Sequence, residues 1–274
     1  MRLKHAWRWA MGFALAGLLA PPTLAGSMCM GGTGGATEPL RLLGARFTAL
    51  NGGEPVDVVP GLGSGGAIGA AMEGVIQVAV SGRDLTPAEE ARGLRVASTL
   101  CTPYVLATSY AGPVSLDRAR VADLYERSAP QWPDGQAVKV VLRPRNESDN
   151  AVLFRLFPGT EDAVQKARGR ASVPVAASDQ DNADMGEQIP ASLIATTYAQ
   201  MLTEHRSLRL VPIDGVAPGL AAYESGRYPF GKRLRLVTAR TAGSDVARFL
   251  DFLRTPEGLA TLREAGLIPC PPED

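Results

Sequence analysis

Short apolar runs alternate along this chain with longer stretches whose apolar positions recur at helical spacing. Val56 to Val59, Val75 to Val80, Leu94 to Thr99 and Tyr104 to Thr108 predict strands, separated by Gly-rich or Pro-capped helical segments. Ser115 is placed to cap a helix running through Tyr125. Val138 to Leu142 then predicts a buried strand that opens a second set, followed by a helix with Val152, Leu153 and Leu156 on one face. Near the end, Ser244 precedes Val246, Phe249, Leu250 and Leu253 at helical spacing. Thr255-Pro256 restarts a helix that carries Leu259 and Leu262 and stops near Gly266. The polar, Asp-rich stretch from Ser178 to Gly186 predicts a solvated surface loop. Strand-helix alternation of this kind predicts a doubly wound α/β architecture, and the chain is long enough for two modest cores.

Three of the predicted helices start where an anion can approach. Gly61-Leu62-Gly63-Ser64-Gly65-Gly66 switches from extended backbone into a helix, and its glycines leave peptide N–H groups uncovered at the positive end of the dipole. Gly31-Gly32-Thr33-Gly34-Gly35-Ala36-Thr37-Glu38-Pro39 is a second such turn, with Thr37 as its expected cap and Pro39 in the first turn. The third is Arg143-Pro144-Arg145-Asn146-Glu147-Ser148-Asp149-Asn150, after the Val138 strand. One such turn is usually only a turn. Three that converge make a site for a small oxyanion.

Charge and cysteines narrow the setting. Residues 1 to 25 read as a secretory signal peptide, with Arg2, Lys4 and Arg8 ahead of an apolar stretch from Trp9 to Ala20 and the small-residue site Thr23-Leu24-Ala25. Cleavage there removes three basic and no acidic side chains, so 28 against 28 becomes 25 against 28, mildly acidic. That balance gives no basic surface for nucleic acid. The three cysteines, 29, 101 and 270, lack the paired spacing of a zinc site, and no metal or cofactor is expected.

Four segments resemble signature stretches of the phosphate-binding proteins of bacterial ABC importers: 34 to 40 (Gly-Gly-Ala-Thr-Glu-Pro-Leu), 61 to 66, 78 to 85 (Val-Ala-Val-Ser-Gly-Arg-Asp-Leu) and 224 to 230 (Glu-Ser-Gly-Arg-Tyr-Pro-Phe). Trp132 to Gly135, Ile213 to Pro218 and the run from Thr255 to Pro269 follow in the same order, so the resemblance covers nearly the whole mature chain. It implies a two-lobed type 2 periplasmic binding protein fold, each lobe a doubly wound sheet with flanking helices, and two crossings between lobes. The implied division is 26 to 108 and 206 to 274 for the first lobe, with 109 to 205 for the second. The second crossing is then expected near Leu202 to Leu208. A disulfide between Cys101 and Cys270 is also implied, since both then belong to the first lobe. Further implications are a periplasmic, monomeric protein, phosphate or a similar oxyanion as ligand, and an ABC permease as partner.

By the same resemblance, Thr37 and Glu38 supply the first turn, Ser64 and Gly65 the second, and Ser81 a hydroxyl from a strand end. Arg143 with Ser148, Asp149 and Asn150 comes from the second lobe, and Arg145 is the rival of Arg143; Arg83, which follows Gly82, is a further candidate that the resemblance does not itself mark. The family often carries an Asp where this chain has Gly82, placed to accept the proton of hydrogen phosphate. Glu38 and Asp149 are the carboxylates available instead. Their charge beside an anion leaves open a cleft reused for a neutral or apolar solute, or for sensing. A hydrolase is the remaining class, but His205 is the only histidine of the mature chain and stands in no catalytic motif, so the chain is not expected to be an enzyme.

Overall fold

The structure, a computed structural model, describes residues 27 to 271. The expected signal peptide lies outside them.

In chain order the elements are β1 (Cys29–Gly32), α1 (Thr37–Asn51), β2 (Asp57–Val59), α2 (Gly63–Met72), β3 (Val78–Ser81), α3 (Pro87–Ala91) and β4 (Leu94–Thr108). Next come α4 (Val121–Glu126), β5 (Lys139–Val140), α5 (Ser148–Leu156), α6 (Thr160–Arg168), α7 (Asp179–Gln188), β6 (Ser192–Thr197), α8 (Tyr198–Thr203) and β7 (Arg209–Leu210). The chain ends with α9 (Leu220–Glu224), β8 (Gly231–Ala239), α10 (Ser244–Phe252), α11 (Pro256–Glu264) and β9 (Ile268–Pro269).

The sheet runs β2-β1-β3-β8-β4-β6-β5, with β7 and β9 also on β4. Its two ends have parallel pairs, β1 with β2 and β3 at one end and β5 with β6 at the other. Each parallel neighbour is reached through a covering helix, as a parallel connection requires. The expected strands at 94 to 99 and 104 to 108 are one strand. Leu100 to Pro103 stay in register with Leu234 to Gly231, so no break separates them.

The first part of β4 pairs with β8 and β9, and its last residues pair with β6 and β7. β4 therefore joins two cores. Met30, Leu40, Leu43, Phe47, Val78, Leu234, Phe249 and Leu262 pack in the first. Tyr104, Val121, Tyr125, Val140, Leu153, Phe157, Leu193 and Phe230 pack in the second.

Three sequence expectations need correction. Ser178 to Gly186 is not a surface loop. Ser178 accepts the Asp181 N–H at 3.0 Å and so caps α7, while Asn182 donates to the Ala195 carbonyl at 3.1 Å and Ala183 faces the core. Ser115 does not cap a helix to Tyr125. A 3-10 turn at Arg118–Arg120 leads into α4, and the Ser115 hydroxyl accepts the Gly215 N–H at 3.3 Å. Nor does Thr37 cap α1; it is the helix's first residue after the 3-10 turn Gly34–Ala36.

The return between lobes also shifts. Val211, Ile213, Ala222, Tyr228 and Phe230 pack with Tyr104 and Leu193 in the second core. This aromatic packing places the chain's return at Gly231, where β8 begins, rather than at Leu202 to Leu208.

Cys101 and Cys270 form a disulfide across 169 residues of chain, tying β4 to the segment after β9, and Cys29 is free. Changing both bonded cysteines to Ser should lower unfolding free energy by about 2–5 kcal/mol. Urea melts of the double variant and of the reduced parent should agree; an unchanged midpoint would show that the crosslink adds nothing. Among the described residues no helix is long and apolar enough to cross a membrane.

Candidate functional site

The starts of α1, α2, α5 and α7 converge where the two cores meet. At the first, Gly35 lies in the 3-10 turn before α1 and donates its N–H to Asp179 Oδ2 at 2.9 Å, while Thr33 Oγ1 donates to the same oxygen at 3.4 Å. A side chain at position 34 would collide here, since its Cβ would lie 2.6 Å from Asp179 Oδ2. Glycine is thus required for the approach. From the second core, Arg143 donates to Asp179 Oδ1 at 3.2 Å and to the Ser178 carbonyl, with Glu147 at 3.6 Å. Gln180 donates back to the Gly34 carbonyl at 3.0 Å, so the start of α7 is bound to the start of α1 from both sides.

A second buried pair lies alongside. Lys232 of β8 donates to Asp149 Oδ1 and lies 3.4 Å from Thr33 Oγ1, and the side chains of Lys232 and Asp149 are only 1% and 4% exposed. Ser64 accepts the Gly82 N–H at 2.9 Å and lies 3.4 Å from the Ser148 hydroxyl across the cleft.

These charges perturb one another. Burial raises the Asp149 carboxyl, and the neighbouring Asp179 charge raises it further against the pull of Lys232. Burial also acts upward on Asp179, but Lys232, Arg143, the Gly35 amide and the Thr33 hydroxyl together hold that carboxyl below its ordinary value. A cavity of about 10 Å³ between Tyr104, Tyr125, Arg143 and Asp149 has room for about one water. With the lobes in this arrangement, the Gly35 amide, the Thr33 hydroxyl, one Arg143 nitrogen and Lys232 donate to the protein's own carboxylates, while Arg143 Nε is buried without a partner.

The sequence from residue 21 to residue 257 matches the family model described as the PBP superfamily domain. The chain belongs to the PBP superfamily. No curated protein matches the sequence. Among solved structures, it is similar to a putative phosphate ABC transporter substrate-binding protein from Clostridium perfringens with bound phosphate, at TM-score 0.76 and 17% identity over 90% of this chain and 100% of that one. An ABC-type phosphate transport receptor from Vibrio cholerae is similar at TM-score 0.61 and 16% identity, over 88% and 99% of the two chains. The periplasmic molybdate-binding protein of Azotobacter vinelandii is similar at TM-score 0.59 and 14% identity, over 88% and 99%. These likenesses give this PBP-superfamily chain the type 2 periplasmic binding protein fold expected from its sequence.

Of the sequence-predicted residues, the structure brings Ser64, Arg143, Ser148 and Asp149 together at the centre. Asn150 is buried beside them and donates to the Pro144 carbonyl at 2.5 Å, which holds the Arg143 to Ser148 turn in shape. Ser81 is consumed locally: its hydroxyl donates to the Arg83 carbonyl at 2.8 Å and accepts the Arg83 N–H at 3.1 Å.

The others lie off the centre. Thr37 and Glu38 border a groove of about 680 Å³ on one side, and Glu38 pairs with Arg41 one turn along its own helix. Gly65 is exposed, with open space where a side chain would begin. Arg83 and Arg145 line a groove of about 620 Å³ on the other side. Arg83 forks onto Glu89 at 2.7 and 2.9 Å, pulling that carboxyl down to about 2, and Arg145 donates to Gln165. Between the two arginine rivals, the buried one is Arg143.

Lys232, Asp179 and Thr33 were not singled out in the sequence. Lys232 carried a signal, because it shares strand parity with the buried Leu234 and Leu236 while Arg233 and Arg235 take the other face. Asp179 was masked by the polar run around it.

Proposed function

We propose that this chain is a secreted solute-binding protein that captures phosphate or a similar oxyanion between its lobes and delivers it to an ABC permease. The observation that carries this reading is the donor set around Asp179: a helix-start amide, a hydroxyl and a buried guanidinium already hold an oxyanion, in the form of a carboxylate. The phosphate-bound Clostridium structure supports the choice of anion by its likeness in fold. Secretion rests on the N-terminal segment, and monomeric behaviour on the resemblance alone. Capture is a hinge closure without bond chemistry, and binding stabilises the closed form only by the difference in affinity between closed and open states.

The proton acceptor for hydrogen phosphate falls to Asp149. A Cβ at position 82 would lie 2.6 Å from Ser148 Oγ and 3.0 Å from Lys232 Cε, so the family's aspartate would have to push both side chains aside there. Glu38, the other carboxylate considered, is engaged by Arg41 at the groove. Asp149 reaches the same region from the opposite lobe, and its raised carboxyl suits it to share a ligand proton.

Calorimetric titration of the mature protein with phosphate and sulfate at fixed ionic strength tests the reading. Phosphate should bind at least about tenfold more tightly, since sulfate offers no proton to a buried carboxylate and meets repulsion instead. A folded protein that takes neither anion at millimolar concentration would return the cleft to a different solute.

A further inference from the structure

We propose that Asp179 is a resident occupant of the oxyanion site, so that the ligand-free protein closes on its own carboxylate and phosphate binds by displacing it. The inference rests on the phosphate reading for the identity of the displacing ligand. It does not rest on it for the closure.

Three observations carry it. First, Asp179 makes the contacts that an oxyanion at the start of α1 needs. One of its oxygens takes the Gly35 N–H at 2.9 Å and the Thr33 hydroxyl at 3.4 Å, and the other takes Arg143 at 3.2 Å. These donors belong to both cores, so the carboxylate bridges the lobes as a captured anion would.

Second, no cation at the centre lacks a facing carboxylate with Asp179 in place. Arg143 and Lys232 meet Asp179 and Asp149, and Glu147 stands 3.6 Å from Arg143. A dianion entering this arrangement would find no uncompensated cation in a region of low dielectric. Withdrawing Asp179 frees the guanidinium, the amide and the hydroxyl together.

Third, space is arranged for displacement. The cavity of about 10 Å³ behind Arg143 and Asp149, on the side of the second core, takes about one water, whereas the groove of about 680 Å³ bordered by Thr37, Ser178 and Gln180 lies directly beside the start of α7. Asp179 is the first residue of α7, next to its cap Ser178, so moving the carboxylate takes a shift of the helix start that releases the Gln200 and Arg143 bonds to the Asp179 and Ser178 carbonyls.

A ligand that must first displace an internal competitor binds with its intrinsic affinity reduced by the fraction of protein in the competent state. If the self-closed form outweighs the open form by about a hundredfold, phosphate affinity falls by the same factor. Asp179 then determines both affinity and selectivity, because weakly charged anions displace it poorly.

The experiment compares the mature parent with Asp179→Asn and Asp179→Ala. Asn keeps the shape of the side chain and guards against a folding defect in the Ala variant. Small-angle scattering of the ligand-free proteins reads closure, and phosphate calorimetry reads competition. The parent should be compact without ligand, and the variants should be more extended and regain the compact dimension on adding phosphate. Both variants should bind phosphate at least about tenfold more tightly than the parent. Equal ligand-free dimensions in all three folded proteins overturn the proposal, as does phosphate affinity that is unchanged or weaker in both variants. If the variants extend but none of the three proteins binds phosphate, the closure by Asp179 stands and the phosphate reading fails.

Discussion

Replacing Lys232 by Met should destabilise the folded protein by about 3–5 kcal/mol, since it leaves one half of a buried ion pair without its partner. Both side chains of the pair are almost wholly buried, and the lysine has Thr33 as a further neighbour. Methionine fills similar volume, so the loss comes from the stranded Asp149 charge and not from a cavity. That charge has an escape: the Asp149 carboxyl is already raised by burial, and without Lys232 it rises further and takes up a proton. The sign follows from linkage. A carboxyl whose folded value lies above its unfolded one adds no penalty below the unfolded value and its full penalty above the folded one. The deficit of Lys232→Met should therefore shrink as pH falls from neutral toward the ordinary carboxylate range. Adding Asp149→Leu should recover much of the loss at neutral pH, because two apolar groups need no partner. Urea unfolding of the single and double variants at two pH values checks this. A single variant within about 1 kcal/mol of the parent at neutral pH, with no pH dependence, would mean that water reaches Asp149 and that the pair is not sealed.

How much of this site can be read in advance depends on what local sequence encodes. Helix starts are local, so the turns at Gly34, Ser64 and Ser148 were legible, and their convergence followed from the resemblance. Side-chain direction is not local in the same sense. Glu38 and Arg83 are both candidates from the sequence, yet each is drawn away by a nearby charge, Arg41 three residues on and Glu89 six residues on. Such pairs hold a side chain at the rim even though each is worth little by itself. Asp179 failed for the opposite reason. Its neighbours are polar, so hydropathy reads a loop, but Ser178 followed by Asp181 is a workable cap, and Asn182, Ala183 and Gly186 share the buried face that makes the segment a helix. Lys232 was legible and overlooked: a lysine on the apolar parity of a strand has to find a buried partner. The lobe return was misplaced because Tyr228 and Phe230 lie on the far side of a polar turn, and nothing local says which core receives them.

Arg143→Ala should weaken phosphate binding by at least about a hundredfold, and Arg145→Ala by no more than about threefold. The two residues are two positions apart on one turn, and only their surroundings separate them. The Arg143 side chain is 6% exposed and faces Asp179, where a guanidinium contact with an anion is shielded from water. Arg145 is exposed and engaged by Gln165 at the edge of the groove, where solvent and ions weaken any pull on the ligand. Salt separates the two further. Raising ionic strength should erase the small effect at Arg145 and leave the large one at Arg143, since screening acts on the exposed charge. Arg143→Lys tests geometry apart from charge: a lysine keeps the cation but lacks the fork that holds Asp179 and the Ser178 carbonyl at once, so it should restore only part of the affinity. Asp179 complicates the reading in a defined direction. Without Arg143 the internal competitor is also held less tightly, so the measured loss understates the contact that phosphate makes with the guanidinium. Losses of equal size at the two positions would place the anion at the mouth of the groove, outside the ring of helix starts.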